Sequence, residues 1–431
     1  MTDKIELKGY WWLPNKKASH IAGTLTYIPN ESITLEIIGT FETDESVIDT
    51  ISLNKHEDVI FGITSDAKNV TLLNCFAYGN LNFSCPFPIM KYSCQYIVVG
   101  HHIDNINQNN FFKSYIKFPL LSQWCSPCVL STTMKYNDNK KIETTTISFD
   151  TKRSPLNSTI INDNTTICIK GGLDYYGDYY SPKLEQYTYL EINKEKDTSI
   201  IDFLHDIYMF EQFLSFATLQ DVKCNNIYLF SKNEYQELSD GVKIYDSIQL
   251  IYVQREYKTP NTKFSNDFLF DYNTIKDKYE DIIIKWYNET SDIEPIRKHL
   301  IDSFKNKSIF SSVDFLIVIQ ALEGFCSRFR KEDTLTTMIE SLIKEFSTID
   351  KLKNDKITIK EAVESRHYYS HFMDRKKKKN IVDGYELYVL TTKLRKLLIC
   401  CILNFVGFNN DEINVILNKC NNQHIYTFQT K

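Results

Sequence analysis

Apolar and polar positions alternate in short runs over roughly the first 195 residues, and then the period changes. Runs such as "GTLTYI", "SITLEIIG", "VIFGIT", "NVTLLNCF", "YSCQYIVVG" and "KIETTTISF" are five to nine residues long. They are rich in Val, Ile, Thr, Tyr and Phe, which suit a pleated, half-buried surface, so they predict strands of an antiparallel assembly. The breaks "IPNES" and "SDAKN" supply turn residues. In "TSIIDFLHDIYMFEQFLSFATL" the spacing becomes helical: Ile201, Leu204, Ile207, Tyr208 and Phe210 to Leu214 form a broad apolar band. Two further strand-like runs follow, "NNIYLF" and "SIQLIYVQ".

Beyond "YKTPNTKFSND" the pattern stays helical. Apolar residues recur at steps of three and four in "YNTIKDKYEDIIIKWYNE", "SVDFLIVIQALEGFCSRFRK", "DTLTTMIESLIKEF", "TIKEAVESRHYYSHFMD" and "GYELYVLTTKLRKLLICCILNFVGF". Asp333 is the expected N-cap of the third of these and Gly384 marks the start of the last. The predicted class is α+β: a β-rich region over 1–195, an α/β extension with linker helices over 196–305, and an all-α bundle of four or five helices over 306–431.

A chain of 431 residues exceeds one compact core, and 42% hydrophobic with 24% charged residues is the balance of a globular protein. The net charge of -5 gives no global attraction to nucleic acid, so such contact must come from a local patch. "MTDKIELKGYWWLP" lacks a basic start and apolar stretch, and "LLICCILNFVGF" is too short to span a bilayer. The expectation is a cytoplasmic protein, with no membrane contact and its eleven cysteines mostly reduced.

Chemistry concentrates in "ESRHYYSHF", residues 364 to 372. His367 and His371 share a helix face, whereas Arg366 projects about 140° from His371 on an ideal helix. A metal site is one reading, with Glu364-x-x-His367 as part of it. However, His-Glu-x-x-His is absent, as is the second Glu-x-x-His helix of a di-iron bundle, so no metal or other cofactor is assigned. A second reading is a metal-free ribonuclease site: imidazole shuttles the proton when the 2′-hydroxyl attacks phosphorus, and guanidinium holds the phosphate. The third is a solvated helix face. An Arg-x(4–6)-His pair arises by chance about once in two chains of this composition, so context must decide. That context is "DRKKKKN", whose Arg375, Lys376, Lys377, Lys378 and Lys379 could gather RNA backbone. Tyr368 and Tyr369 could stack on bases, though bundle tyrosines more often face a core.

Arg366-His-Tyr-Tyr-Ser-His371 on a late helix resembles the signature of HEPN domains, many of which are metal-independent ribonucleases. "FLIVIQALEGFCSRFRK" resembles the companion helix, whose acidic residue here is Glu323. In order, "GYWWLP", "GTLTYI", "SITLEIIG", "VIFGIT", "NVTLLNC", "YIVVGHH", "LLSQW", "FEQFLSFAT" and "YEDIIIKWYNE" resemble the ApeA-type anti-phage HEPN proteins over nearly the whole chain. The resemblance implies an endoribonuclease acting in abortive infection. Arg366 and His371 would be catalytic, with His367 and Glu323 positioning them. Its partners would be RNA (tRNA among the candidates), a second copy through the bundle and a phage-derived trigger. One departure stands out: His367 occupies a place where such proteins often carry Asn. Dimerisation would let a two-fold axis bring the arginine of one subunit to the histidine of the other. A catalytically silent RNA- or protein-binding scaffold with a ligand-sensing β domain is the alternative.

"QWCSPCVL" resembles the redox motif of thioredoxin, but strands rather than a helix are predicted after Cys125 and Cys128, so buried thiols are expected. His101-His102 reads as a strand end, and the chain has no phosphate-cradling glycine motif or Gly-x-Ser-x-Gly elbow.

Overall fold

The computed structural model describes residues 4–41, 56–78, 88–126, 130–149, 156–254, 267–288, 292–305, 311–377 and 379–421. The chain divides into two compact units. The first comprises Met1–Pro119, Val129–Ile207 and Lys223–Lys258, the second Leu120–Cys128, Tyr208–Val222 and Thr259–Lys431.

In the first unit, alternation produces β1 (Ile5–Trp12), β2 (Ile21–Ile28), β3 (Ser32–Ile38), β4 (His56–Thr64), β5 (Asn69–Tyr78) and β6 (Ile89–Val99). These six close into an antiparallel barrel in the order β1-β2-β3-β6-β5-β4, returning to β1. The later strands are β7 (Phe111–Lys117), β8 (Leu130–Tyr136), β9 (Ile142–Phe149), β10 (Asn157–Asn162) and β11 (Thr165–Tyr176). They are followed by β12 (Lys183–Thr198), β13 (Asn226–Phe230), β14 (Tyr235–Glu237), β15 (Lys243–Tyr245) and β16 (Ile248–Tyr252). Strand β6 pairs with β5 along one edge; its other edge pairs first with β3 and then with β16. From there the sheet continues through β13, β7, β12, β11 and β10, while β8-β9 and β14-β15 form separate ribbons. At 16 residues, β12 is longer than any run the pattern predicted, because it serves both β11 and β7.

Leu25 and Tyr27, Ile33, Leu35 and Ile37, Val70 and Leu72, and Tyr92 and Cys94 meet around fully buried Trp11. The side-chain period of two puts each set on one face of its strand. Trp11 lies opposite Gly62 in the β1-β4 register, and a Cβ there would stand 2.3 Å from the indole, so only glycine leaves the ring its space.

The helices are α1 (Leu121–Cys125), α2 (Ile200–Thr218), α3 (Tyr272–Ile275), α4 (Tyr279–Asn288), α5 (Glu294–Lys305) and α6 (Ser312–Phe329). They continue with α7 (Leu335–Glu345), α8 (Asp350–Asn354), α9 (Ile359–His371), α10 (Gly384–Phe405) and α11 (Asn410–Lys419). The band on α2 is phased slightly differently from expectation: Ile201 is exposed and Phe203 is buried. In the second unit, Trp286 of α4 donates through Nε1 to the Met209 carbonyl and packs on Phe213 and Phe216. The guanidinium of Arg297 sits 4.0 Å over that indole and donates to its carbonyl, and burial pushes its pKa down to about 10.

In the bundle, buried Arg395 of α10 donates to Ser303 Oγ of α5 at 2.9 Å and stands 3.6 Å from Asp314 of α6. Arg330 at the end of α6 forks onto Glu345 of α7 at 2.7 and 2.9 Å and reaches Asn404 of α10. The N-cap of α7 is Thr334, one residue after the expected Asp333, because its hydroxyl closes a reciprocal capping box with Thr337. Helix α11 lies beyond the predicted last helix and opens on its own box between Asn409 and Glu412.

Replacing Trp11 by Ala should lower the stability of the β unit by about 3–5 kcal/mol, measured as a fall in the urea midpoint of its unfolding transition.

Candidate active site

Helix α9 turns two small residues, Ala362 and Ser365, inward and packs against α6 and α7. Arg366, next in sequence, therefore emerges at the margin of the buried face with a side chain 22% exposed. Its Nε stands 3.2 Å from Glu323 Oε1 on α6, and Nη2 donates to Glu323 Oε2 at 3.2 Å. Its Nη1 stands 2.9 Å from Nε2 of the exposed His371. Arginine has no acceptor, so in a hydrogen bond between them Nη1 donates and Nε2 accepts. Each terminal guanidinium nitrogen carries two hydrogens, so Nη1 and Nη2 each have a second hydrogen beyond these contacts.

The ideal-helix projection set Arg366 and His371 apart, yet they meet within one chain. Two features account for it. The arginine side chain is long enough to run along the helix axis, and His371 is the last helical residue before Phe372 turns into the left-handed region at φ 49° and ψ 41°. His367 lies one turn back, its ring centroid 5.9 Å from that of His371 and nearly parallel to it.

The segment after α9 is stapled back onto the helix. Glu364 accepts from the Asn380 backbone at 2.8 Å and from its Nδ2 at 3.2 Å. Ser365 Oγ accepts from Val382 N at 3.1 Å, and the Tyr369 hydroxyl donates to Val382 O at 3.2 Å. Tyr369 also packs edge-on against Phe315 of α6, which gives it a structural place rather than a base-stacking one. Glu364, considered above beside His367, is thus an anchor for the loop. Among the described residues, no three His, Cys, Asp or Glu side chains gather into a group that could hold a metal ion.

The basic run is divided. Arg375 pairs with Asp383 at 2.6 Å, while Lys376 and Lys379 are exposed. Lys378 lies outside the described residues, and Lys377 is described only through its backbone in the turn Arg375–Lys377. Tyr369 thus takes the core-facing place favoured above, whereas pattern reading missed the anchor Ser365 and the exposed ring of Phe372. The signal for Phe372 was an aromatic directly after the final histidine with no apolar neighbour at the next helical steps.

Other stretches singled out above take structural places. Cys125 is buried at the end of α1, and burial pushes its thiol well above the usual range; Cys128 lies outside the described residues. His101 Nδ1 stands 2.7 Å from Glu234 Oε1, and His102 Nε2 stands 2.9 Å from the Gly62 carbonyl. No helix among the described residues is long and apolar enough to cross a membrane.

A β-rich unit with a closed barrel, followed by a helical bundle that joins an arginine and a histidine on one late helix, has the build of an α+β HEPN protein. The chain matches the model for ApeA N-terminal domain 1 over residues 6–286 and the model for Apea-like HEPN over residues 298–412, and it belongs to the ApeA family of HEPN proteins. Comparison with curated proteins and with solved structures gives no match. HEPN domains are generally ribonucleases, and the pairing with an ApeA domain is that of anti-phage HEPN nucleases.

The side-by-side Arg366–Glu323 pair is largely shielded from water. A double-mutant cycle with Arg366→Ala and Glu323→Ala, read by urea unfolding, should give a coupling of about 1 kcal/mol.

Proposed function

We propose that this chain is a metal-independent endoribonuclease of anti-phage abortive infection. The observation that carries the reading is the 2.9 Å contact between Arg366 Nη1 and His371 Nε2, with the guanidinium held from behind by Glu323. A phosphodiester entering here takes the free hydrogens of Nη1 and Nη2. His371 Nε2, released from Arg366, accepts the 2′-hydroxyl proton as the 2′-oxygen attacks phosphorus. Arg366 offsets the charge that builds on the equatorial oxygens. The imidazolium of His371, or His367 beside it, returns a proton to the departing 5′-oxygen. The products are a 2′,3′-cyclic phosphate and a 5′-hydroxyl. Exposed Lys376 and Lys379 attract the backbone. The β-rich region over 1–195 and the extension over 196–305 would sense a phage-derived trigger and restrain the bundle, which would work as a dimer in the cytoplasm.

A silent scaffold is the second reading, favoured by one fact: Glu323 already neutralises Arg366. A cleavage assay on RNA in EDTA separates the two. The enzyme should cut, leave 2′,3′-cyclic phosphate ends, and lose at least about 10²-fold in rate on Arg366→Ala or His371→Ala with folding intact. RNA binding that survives both substitutions, with no cleavage by the wild type, would establish the scaffold instead.

A further inference from the structure

Phe372 follows the candidate general base directly, and 91% of it is exposed. It closes α9 in the left-handed region, φ 49° and ψ 41°, a position where glycine or asparagine is the low-cost choice. A bulky aromatic is therefore held in an unfavourable backbone conformation and in water, one residue from His371. Neither term favours the isolated fold. We infer that Phe372 is a stacking platform for a base of single-stranded RNA flanking the scissile phosphate, an inference that rests on the ribonuclease reading above.

Charge favours RNA over a second copy of the chain as what covers the ring. Within the next eleven residues, Arg375 is balanced by Asp383, and Asp374 accepts from the Lys376 backbone, while the Lys376 and Lys379 side chains are exposed. A two-fold contact centred on Phe372 would set each basic segment against its own copy. A ribose-phosphate strand brings the opposite charge and a π-face to the same place.

The test uses the full-length protein, a pool of 2′-O-methylated single-stranded 20-mers that cannot be cleaved, and total tRNA. Phe372→Ala and Phe372→Leu should each raise Kd about tenfold, while Phe372→Trp stays within about threefold of wild type, because an aromatic face and not mere apolar area is required. Phe372→Gly should weaken binding as Ala does while leaving the unfolding temperature unchanged or higher, since glycine suits the backbone there; loss of fold then cannot mimic the result. Equal affinity of the Trp and Leu variants, or binding of neither probe by the wild type, overturns the inference. So does a Phe372→Ala variant that alters the sedimentation coefficient but not Kd, because a second copy would then be covering the ring. Failure of the underlying reading shows separately, as cleavage that persists in His371→Ala.

Discussion

Everything at the candidate site depends on one guanidinium reaching two helices at once. Arg366 belongs to α9, yet its carboxylate partner belongs to α6, so the spacing between those helices sets where the remaining donors stand. Ala362 and Ser365 permit the close approach, and Glu323 keeps the arginine from folding away into solvent. The pair also fixes which way the contact with His371 runs: Arg366 can only donate, so Nε2 is the accepting side of any hydrogen bond between them.

Elsewhere in the bundle, buried charge ties α10 to α5 and α6. Arg395 is nearly inaccessible, and burial pushes its pKa down, a cost that Ser303 and Asp314 together offset. Lys396, on the same helix, is likewise depressed by burial and bonded to Asp355. Such groups add little net stability but punish every arrangement in which they lose their partners. Arg395 thus gives α10 a specific partner on each of α5 and α6.

The strands were legible because a period of two is written into consecutive residues, as in "SITLEIIG" and "NVTLLNCF". Barrel closure was not legible, since it depends on which edges of β6 are taken, and those pairings join residues far apart in the chain. The five-residue helix α8 fell below the length at which apolar spacing is readable. At the candidate site, the meeting of Arg366 with Glu323 and His371 was not legible from helix geometry. A wheel projection treats side chains as points on a cylinder, so it missed both the reach of arginine and the helix ending at His371. Likewise "DRKKKKN" read as uniform charge, although Arg375 is tied to an aspartate eight residues on.

Strand β6 has a bearing on how the first unit can respond to anything it encounters. It belongs to the barrel and to the open sheet at the same time, with its second edge divided between β3 and β16. Residues 89–93 of that second edge face β3 and residues 96–99 face β16. The hydrogen-bonded ladder therefore runs without a break from the barrel into the open sheet, with one backbone common to both.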